Sequence, residues 1–456
     1  MRILRTAAAG VALLAALLLI AVWAKPPELI RIGANYAAKT VCSNVFIAGR
    51  DPGEVLRDDV QAPGIALLRL MRVSVDRGEG VVRAGLFGLI GGGLAVARPG
   101  AGCAVVPDGQ LGGVAHSPSA PIAARAAVAA RPRPWPEGDG VELNPAFDPL
   151  LADDALTGPG ARAVVVVHHG RLVAERYASG FAATMPLLGW SMTKSVTAGL
   201  IGVLVKEGPL ALDQRAGWPP GDARADIRIA DLLSMTSGLR FNEGYGAVSD
   251  VTRMLFLKSD MAAFAHAQPL EHPVGSVWSY SSGTAVMLAR IFQDAAGPAP
   301  LAAMRERLFD PLGMTSALIE TDVHGTLVGS SYMYATARDW ARYAQFLLQQ
   351  GVWQGREILP PGYVSMMTTP VAASGGQYGR GQVWLWGSDP TTPGKDPDTE
   401  YGLPADTFWM EGHDGQYAAI VPSRDLVIVR LGLTPEREHY RPQPLVRAVL
   451  DALAQP

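Results

Sequence analysis

The 456-residue chain has only two cysteines, six lysines, no strong net charge and, beyond its N-terminal stretch, no long apolar run. Each shortage excludes a class of protein. With Cys42 and Cys103 alone the chain is no disulfide-dense scaffold, and neither cysteine has a Cys or His neighbour at metal-ligand spacing. A formal net charge of -3 gives no broad pull towards a phosphate backbone, so nucleic acid is not expected as a partner. Hydrophobic residues at 48% and charged residues at 18% describe a globular protein, neither disordered nor a bundle of membrane helices. Neither G-x-G-x-x-G nor G-K-[ST] occurs, so Gly91-Gly92-Gly93 is expected to form a hairpin turn and not a phosphate loop. His168, His169 and His413 lack the E-x-x-H or cysteine partners of a zinc site, and no metal or cofactor is expected.

The one apolar run covers residues 7–23, behind Arg2 and Arg5 and ahead of Lys25. A basic start followed by an apolar core reads as an export signal, with Val22-Trp23-Ala24 as a tolerable cleavage site. The run also approaches the about 20 residues that span a bilayer. Residues 1–24 are therefore either a cleaved signal or a retained anchor whose N-terminus stays inside. Both place the remainder in the periplasm, soluble or held to the inner membrane. There Cys42 and Cys103 are expected to form a disulfide, two buried free thiols being the alternative.

Residues 29–113 read as a small accessory segment, with a short helix near 54–60 and strand-like runs at 72–75, 80–87, 93–96 and 103–106. The Pro/Ala-rich stretch 114–140, with Pro132, Pro134 and Pro136 at every second position, reads as a stiff, extended linker. Residues 141–456 carry strands at 163–167 and 172–177 around a hairpin turn, then helices at 191–206, 229–233, 283–294, 300–308 and 336–350. Strands return at 407–410, 417–422 and 426–431 before a closing helix at 442–453. Strands at both ends with helices between them imply an α+β fold, its antiparallel sheet contributed by both ends of the domain.

Chemistry concentrates at three places. Ser191-Met192-Thr193-Lys194 puts a hydroxyl and an amine three residues apart, on one face of a helix. A serine becomes a nucleophile when a nearby base takes its proton, and an apolar helix is a setting in which lysine can be that base. At the helix start, backbone N–H groups lie close to Ser191 for a developing oxyanion. Gly189-Trp190-Ser191 begins like an α/β-hydrolase elbow, but Thr193 stands where the second glycine belongs. Tyr280-Ser281-Ser282, before the apolar helix from Gly283, can bring a phenol to the Ser/Lys pair as a proton relay. Glu411-Gly412-His413-Asp414-Gly415-Gln416 lies between two terminal strands; its glycines let substrate approach the sheet edge, and the Gln416 N–H can complete an oxyanion hole.

These elements, in this order, resemble the serine β-lactamase/penicillin-binding-protein superfamily with its S-x-x-K motif, and within it the class C-like branch. That branch holds class C β-lactamases, DD-peptidases, β-lactamase-fold esterases and 6-aminohexanoate-dimer (nylon oligomer) hydrolases. The resemblance runs from about Leu143 to the C-terminus, supported by residues 232–239 and 335–339. It implies a β-lactamase/transpeptidase-like fold in which Ser191 is acylated, Lys194 is its base and Tyr280 shuttles the proton. Phe241-Asn242-Glu243-Gly244-Tyr245 looks like the loop that carries a substrate-contacting tyrosine in the nylon-oligomer hydrolases, which makes Tyr245 a candidate. Ser282, His413, Gly415 and Gln416 join it as candidate substrate-binding residues. Two departures bear on substrate. Ser282 stands where Asn is usual, and His413-Asp414-Gly415 replaces K-T-G, which removes the fixed cation that recognises a substrate carboxylate. Hydrolysis of small amides or esters is expected, ahead of periplasmic β-lactamase or DD-peptidase chemistry. The alternative outside catalysis is a silent binding or sensor protein of the same fold.

Overall fold

The computed structural model describes residues 17, 20–114, 133–389 and 394–454, so most of the export segment and of the Pro/Ala-rich stretch lies outside the described residues. The chain divides into two compact units. Among the described residues, the smaller takes in those up to 98, 103–114 and 243–259, and the larger takes in the remainder.

In the smaller unit a helix lies on a four-stranded antiparallel meander. Helix α1 (Glu28–Phe46) buries Ala34, Ala37, Ala38, Val41 and Val45 against strands β1 (Met71–Asp76), β2 (Val81–Leu86) and β3 (Ile90–Arg98). Strand β4 (Gly102–Val105) completes the order β1-β2-β3-β4. The sequence reading has no helix at 28–46, because its small and polar residues leave no clear apolar stripe. Close packing makes the helix instead. A Cβ built on Gly93 would stand 2.3 Å from the Ala34 carbonyl oxygen, and one on Gly91 would stand 2.9 Å from the Ala34 Cβ. Gly91-Gly92-Gly93 is therefore part of β3 under the helix and not the expected turn, which falls at 87–89. Asn35, nearly fully buried, donates to the Phe256 carbonyl at 2.8 Å and accepts from Leu94 N–H at 3.1 Å, tying α1 to β3 and to the helix Asp250–Leu257. The expected disulfide is present: Cys42 on α1 and Cys103 on β4 are bonded, both fully buried, with Cα atoms 6.0 Å apart. Closing a 61-residue separation restricts the unfolded chain by about 4 kcal/mol on the loop-entropy account.

In the larger unit, β5 (Ala161–His168) and β6 (Arg171–Tyr177) form a hairpin, and β7 (Phe408–Gly412), β8 (Gln416–Val421) and β9 (Leu426–Gly432) form a meander. The two join where β9 pairs antiparallel with β5, Val429 opposite Val165, giving the order β7-β8-β9-β5-β6. Between them the chain supplies helices α2 (Met192–Glu207), α3 (Ser282–Ala296) and α4 (Ala337–Leu348), and it closes with α5 (Gln443–Leu453). This is the α+β arrangement expected from strands at both ends. One sheet face packs Val164, Val166, Trp409 and Ile428 against Leu445 and Val449 of α5. The alternate residues Val165, Val167, Ile420 and Val427 are buried as well, on the face that α4 packs against.

The described end of the Pro/Ala-rich stretch, 133–140, is not an extended spacer. Trp135 is buried, and Arg342 of α4 donates to the carbonyls of Pro136 at 3.0 Å and Gly138 at 2.6 Å, folding these residues into a turn on the larger unit. Among the described residues no helix is long and apolar enough to cross a membrane.

Candidate active site

Helix α2 is buried on every side, its residues from Met192 to Leu204 all enclosed, as expected of a helix running through a core. It ends at Gly208, whose φ of +99° allows its N–H to close on Leu204. At the other end Ser191 occupies the cap position, half-buried at the head of the helix. The turn before it is tightly held. Trp190 adopts a left-handed φ of +47°, and Gly189 lies so close to Trp340 of α4 that an added Cβ would stand 2.2 Å from the indole. Thr193 donates its hydroxyl to the Trp190 carbonyl at 2.6 Å and accepts from Met333 N–H at 3.1 Å.

Lys194 is 1% exposed. Its Nζ donates to Ser191 Oγ at 2.9 Å, to Ser282 Oγ at 3.1 Å and to the Ser330 carbonyl at 3.0 Å. These three contacts hold the Lys194 nitrogen from three directions. The amine is therefore fixed in position, 2.9 Å from the serine oxygen. Tyr280 completes the group: its ring centroid is 4.7 Å from Lys194 Nζ. An aromatic wall holds that ring, Tyr378 edge-on at 5.9 Å and Trp384 at 5.4 Å. Ser281 caps α3 by accepting from Thr284 N–H at 3.2 Å, which sets Tyr280 and Ser282 on either side of the helix start.

The third motif reaches the same place through its backbone. A Cβ on Gly412 would stand 2.1 Å from the Gly189 carbonyl oxygen, two residues before Ser191. The His413 ring packs edge-on against Trp190 at 5.5 Å, its Nε2 3.5 Å from an Asp414 carboxylate oxygen. A cleft of ≈ 320 Å³ runs along this hairpin, lined by Trp384, Trp386, Ser388, His413, Asp414 and Tyr417.

Structure changes the part assigned to several residues. Ser282 is fully buried and its Oγ accepts from Lys194 Nζ, a contact that helps to position the amine. Gly415 has φ +81° and is packed on Arg430, which donates to its carbonyl at 2.6 Å; the glycine that backs onto the turn before Ser191 is Gly412. Gln416 is 2% exposed and its side chain ties the hairpin together, donating to His413, Asp414 and Gly432 carbonyls and accepting from Gly432 N–H. Its expected role rests on its backbone N–H alone. Tyr245 lies half-buried in the 243–259 segment of the smaller unit, in the loop before the helix Asp250–Leu257.

Two participants escaped the sequence reading. The Ser330 carbonyl is backbone and carries no side-chain signature. Glu411, beside Gly412, accepts from Ser388 N–H at 2.6 Å, and burial pushes its carboxyl up to about 8. Among the described residues no cluster of three or more His, Cys, Asp or Glu is placed to hold a metal.

A family model described as Beta-lactamase matches residues 151–449. Among solved structures, a Bacillus anthracis protein provisionally described as a 6-aminohexanoate-dimer hydrolase is similar with a TM-score of 0.52 and 21% identity, covering 90% of this chain and 94% of its own. A provisionally described β-lactamase from Bacteroides dorei is similar with a TM-score of 0.54 and 21% identity, over 69% of this chain and 100% of its own. A penicillin-binding-protein homologue from Caulobacter crescentus is similar with a TM-score of 0.52 and 19% identity, over 69% and 99%. At these identities the likeness is one of fold. No curated protein matches the chain.

Proposed function

The chain belongs to the Beta-lactamase family, whose members are generally hydrolases, and from that premise we propose that it forms an acyl-enzyme on Ser191 and cleaves small amides or esters. The observation that carries this reading is the 2.9 Å approach of Lys194 Nζ to Ser191 Oγ at the head of a buried helix. As the hydroxyl attacks a carbonyl carbon, its proton passes to the Lys194/Tyr280 pair. The oxyanion that forms is stabilised by the Ser191 and Gln416 N–H groups. Collapse of that intermediate expels the amine or alcohol, which takes the proton back through Tyr280, and water then releases the acid by the same relay.

The cleft beside His413 is lined by Trp384, Trp386 and Tyr417 together with charged side chains such as Lys395 and Asp414, and by none of Ser191, Lys194 and Tyr280; it supports a small substrate part with apolar carbon alongside the reacting groups. His413-Asp414-Gly415 lacks the lysine of K-T-G and sets a carboxylate beside the imidazole, which disfavours an anionic substrate end. That is why small amides and esters, as in the 6-aminohexanoate-dimer hydrolases and carboxylesterases, are preferred over β-lactams. Export to the periplasm, soluble or anchored, belongs to the same proposal and is supported by the N-terminal apolar run and by the disulfide.

The test offers the purified protein a nitrophenyl ester, a linear aminohexanoate dimer and a chromogenic cephalosporin, with Ser191→Ala in parallel. Ester or dimer turnover that disappears in the variant is the expected result. Turnover of the cephalosporin alone would transfer the assignment to β-lactam or peptidoglycan chemistry. Absence of turnover together with no labelling by a fluorophosphonate would leave a binding protein. A variant as active as the parent would remove Ser191 from the mechanism.

A further inference from the structure

Ten large hydrophobic side chains are exposed among the described residues, and eight of them belong to the smaller unit. The most exposed are Leu89 at 75%, Trp23 at 64% and Ile20 at 60%, followed by Phe87 at 57%. They are not scattered. Phe87-Gly88-Leu89 is the tip of the β2–β3 hairpin, and Phe87 N–H donates to the Leu70 carbonyl at 2.9 Å, which sets exposed Leu70 beside the tip. Gly91, just past the tip, faces the first turn of α1: a Cβ there would stand 3.2 Å from Ile30 Cγ2. The hairpin tip, Leu70 and the start of α1, where Leu29 is exposed, therefore share one end of this unit; in the sequence the apolar run 7–23 precedes α1.

Two further observations set that end apart. Phe87 has φ +53°, a left-handed conformation that costs a bulky L residue free energy, yet it holds the ring out into solvent. Basic residues flank the apolar tip: Arg72 and Arg83 line a shallow cleft with Gly88 and Leu89, both are exposed, and neither meets a carboxylate among the described residues. Arg72 donates to the Met71 carbonyl at 2.9 Å and keeps its charge unneutralised; an apolar tip rimmed by guanidinium groups without carboxylate partners matches a surface with acyl chains below and phosphates above.

We propose that this end of the smaller unit docks on an anionic phospholipid bilayer, with Leu70, Phe87 and Leu89 entering the interface and Arg72 and Arg83 meeting lipid phosphates. The proposal uses the export reading of residues 1–24 to bring the chain to a membrane and is independent of what Ser191 hydrolyses. Docking holds the accessory unit at the membrane whether the apolar run is cleaved or retained.

Both native cysteines are in the disulfide, so one added cysteine can be labelled selectively. Leu89→Cys carries an environment-sensitive nitrobenzoxadiazole probe, and Glu79→Cys, in the exposed turn at the opposite end of β2, serves as control. The full-length chain is mixed with vesicles of phosphatidylethanolamine and phosphatidylglycerol. The expected result is a blue shift and a gain of about two-fold in emission at position 89, quenched by doxyl-labelled lipid and absent at position 79. Arg72→Glu with Arg83→Glu weakens the signal, as does replacing phosphatidylglycerol by phosphatidylcholine. Position 89 staying as solvent-exposed with vesicles as without overturns the proposal. Equal insertion of both probes overturns it too, since that reports general adhesion. Burial of the position 89 probe without lipid, rising with protein concentration, would show that a second copy covers the tip and would equally overturn it.

Discussion

The two sides of the candidate site are built on opposite plans. On the helical side, polar side-chain atoms converge: Ser191, Lys194 and Ser282 meet within 3.1 Å contacts, and Tyr280 is laid over the amine. On the hairpin side the polar side chains turn inwards. Gln416 knits β8 to β9, Glu411 binds the Ser388 N–H, and Gly412 touches the nucleophile turn with backbone alone. On the proposed function the helical side supplies reacting groups and the hairpin supplies shape and main-chain donors. Substitution should separate them, because removing a reacting group stops turnover in a folded protein, whereas disturbing the hairpin first changes stability or substrate fit.

The largest effect belongs to Lys194. Lys194→Ala should lower kcat by on the order of 10³-fold or more and slow fluorophosphonate labelling of Ser191 in parallel, since both begin with the same proton transfer. Lys194→Arg sharpens the point. It keeps a positive charge but cannot give up its proton, so an amine acting as base is not rescued. Recovery of most activity in Lys194→Arg would mean that a fixed charge is all the site requires. Circular dichroism on both variants separates loss of chemistry from loss of fold.

Next in size is Glu411, which tests whether the hairpin side is structural. Burial raises its carboxyl from 4.5 to about 8, so near neutral pH the folded protein holds a proton that the unfolded chain has released. Stability should therefore fall as pH rises from about 4.5 to about 8 and level off above, because the folded state binds more protons throughout that window. The loss accumulated by pH 7 is on the order of 3 kcal/mol. Glu411→Gln should flatten this slope and raise the melting temperature at pH 8 while leaving it nearly unchanged at pH 4.5. An unchanged slope in urea unfolding at these pH values would mean that the carboxyl is solvated.

What the sequence disclosed follows the same division. A three-residue spacing on an apolar helix is a local geometric relation, and it became a 2.9 Å contact. Alternating and continuous apolar runs likewise marked the strands of the larger unit and the joining of its two ends. Less legible was anything decided by packing between distant residues. Helix α1 has no apolar stripe to announce it, and Gly91-Gly92-Gly93 resembles a turn until the helix that requires the glycines is in place. Gln416 could serve a substrate by type, but its amide is consumed by Gly432 sixteen residues later. The Ser330 carbonyl that fixes Lys194 belongs to the main chain, where any residue would offer the same atom.

Ser282 gives a smaller effect that cuts across the two plans, since its type suggested a substrate contact and its burial assigns it to the amine. Ser282→Ala removes one of the contacts that hold the Lys194 nitrogen. The expected outcome is a fall of about ten-fold in kcat, equal to about 1.4 kcal/mol, with KM little changed. A rise in KM at constant kcat would return Ser282 to the substrate.

The smallest expected effect falls on His413, the hairpin side chain that remains half-exposed along the cleft and also packs on Trp190. If it touches substrate, His413→Ala raises KM by about three-fold with kcat nearly intact, since one lost neutral contact is worth about 0.5–1.5 kcal/mol. If it only steadies Trp190, whose left-handed turn presents Ser191, kcat falls instead and KM is unchanged. His413→Asn separates the two further, because it restores a hydrogen-bond donor without the imidazole that packs on the indole. Rescue of KM by Asn is the expected result and gives the hairpin one recognition side chain. Failure of that rescue together with a lowered kcat would make the hairpin wholly structural and leave recognition to the cleft walls and the main chain.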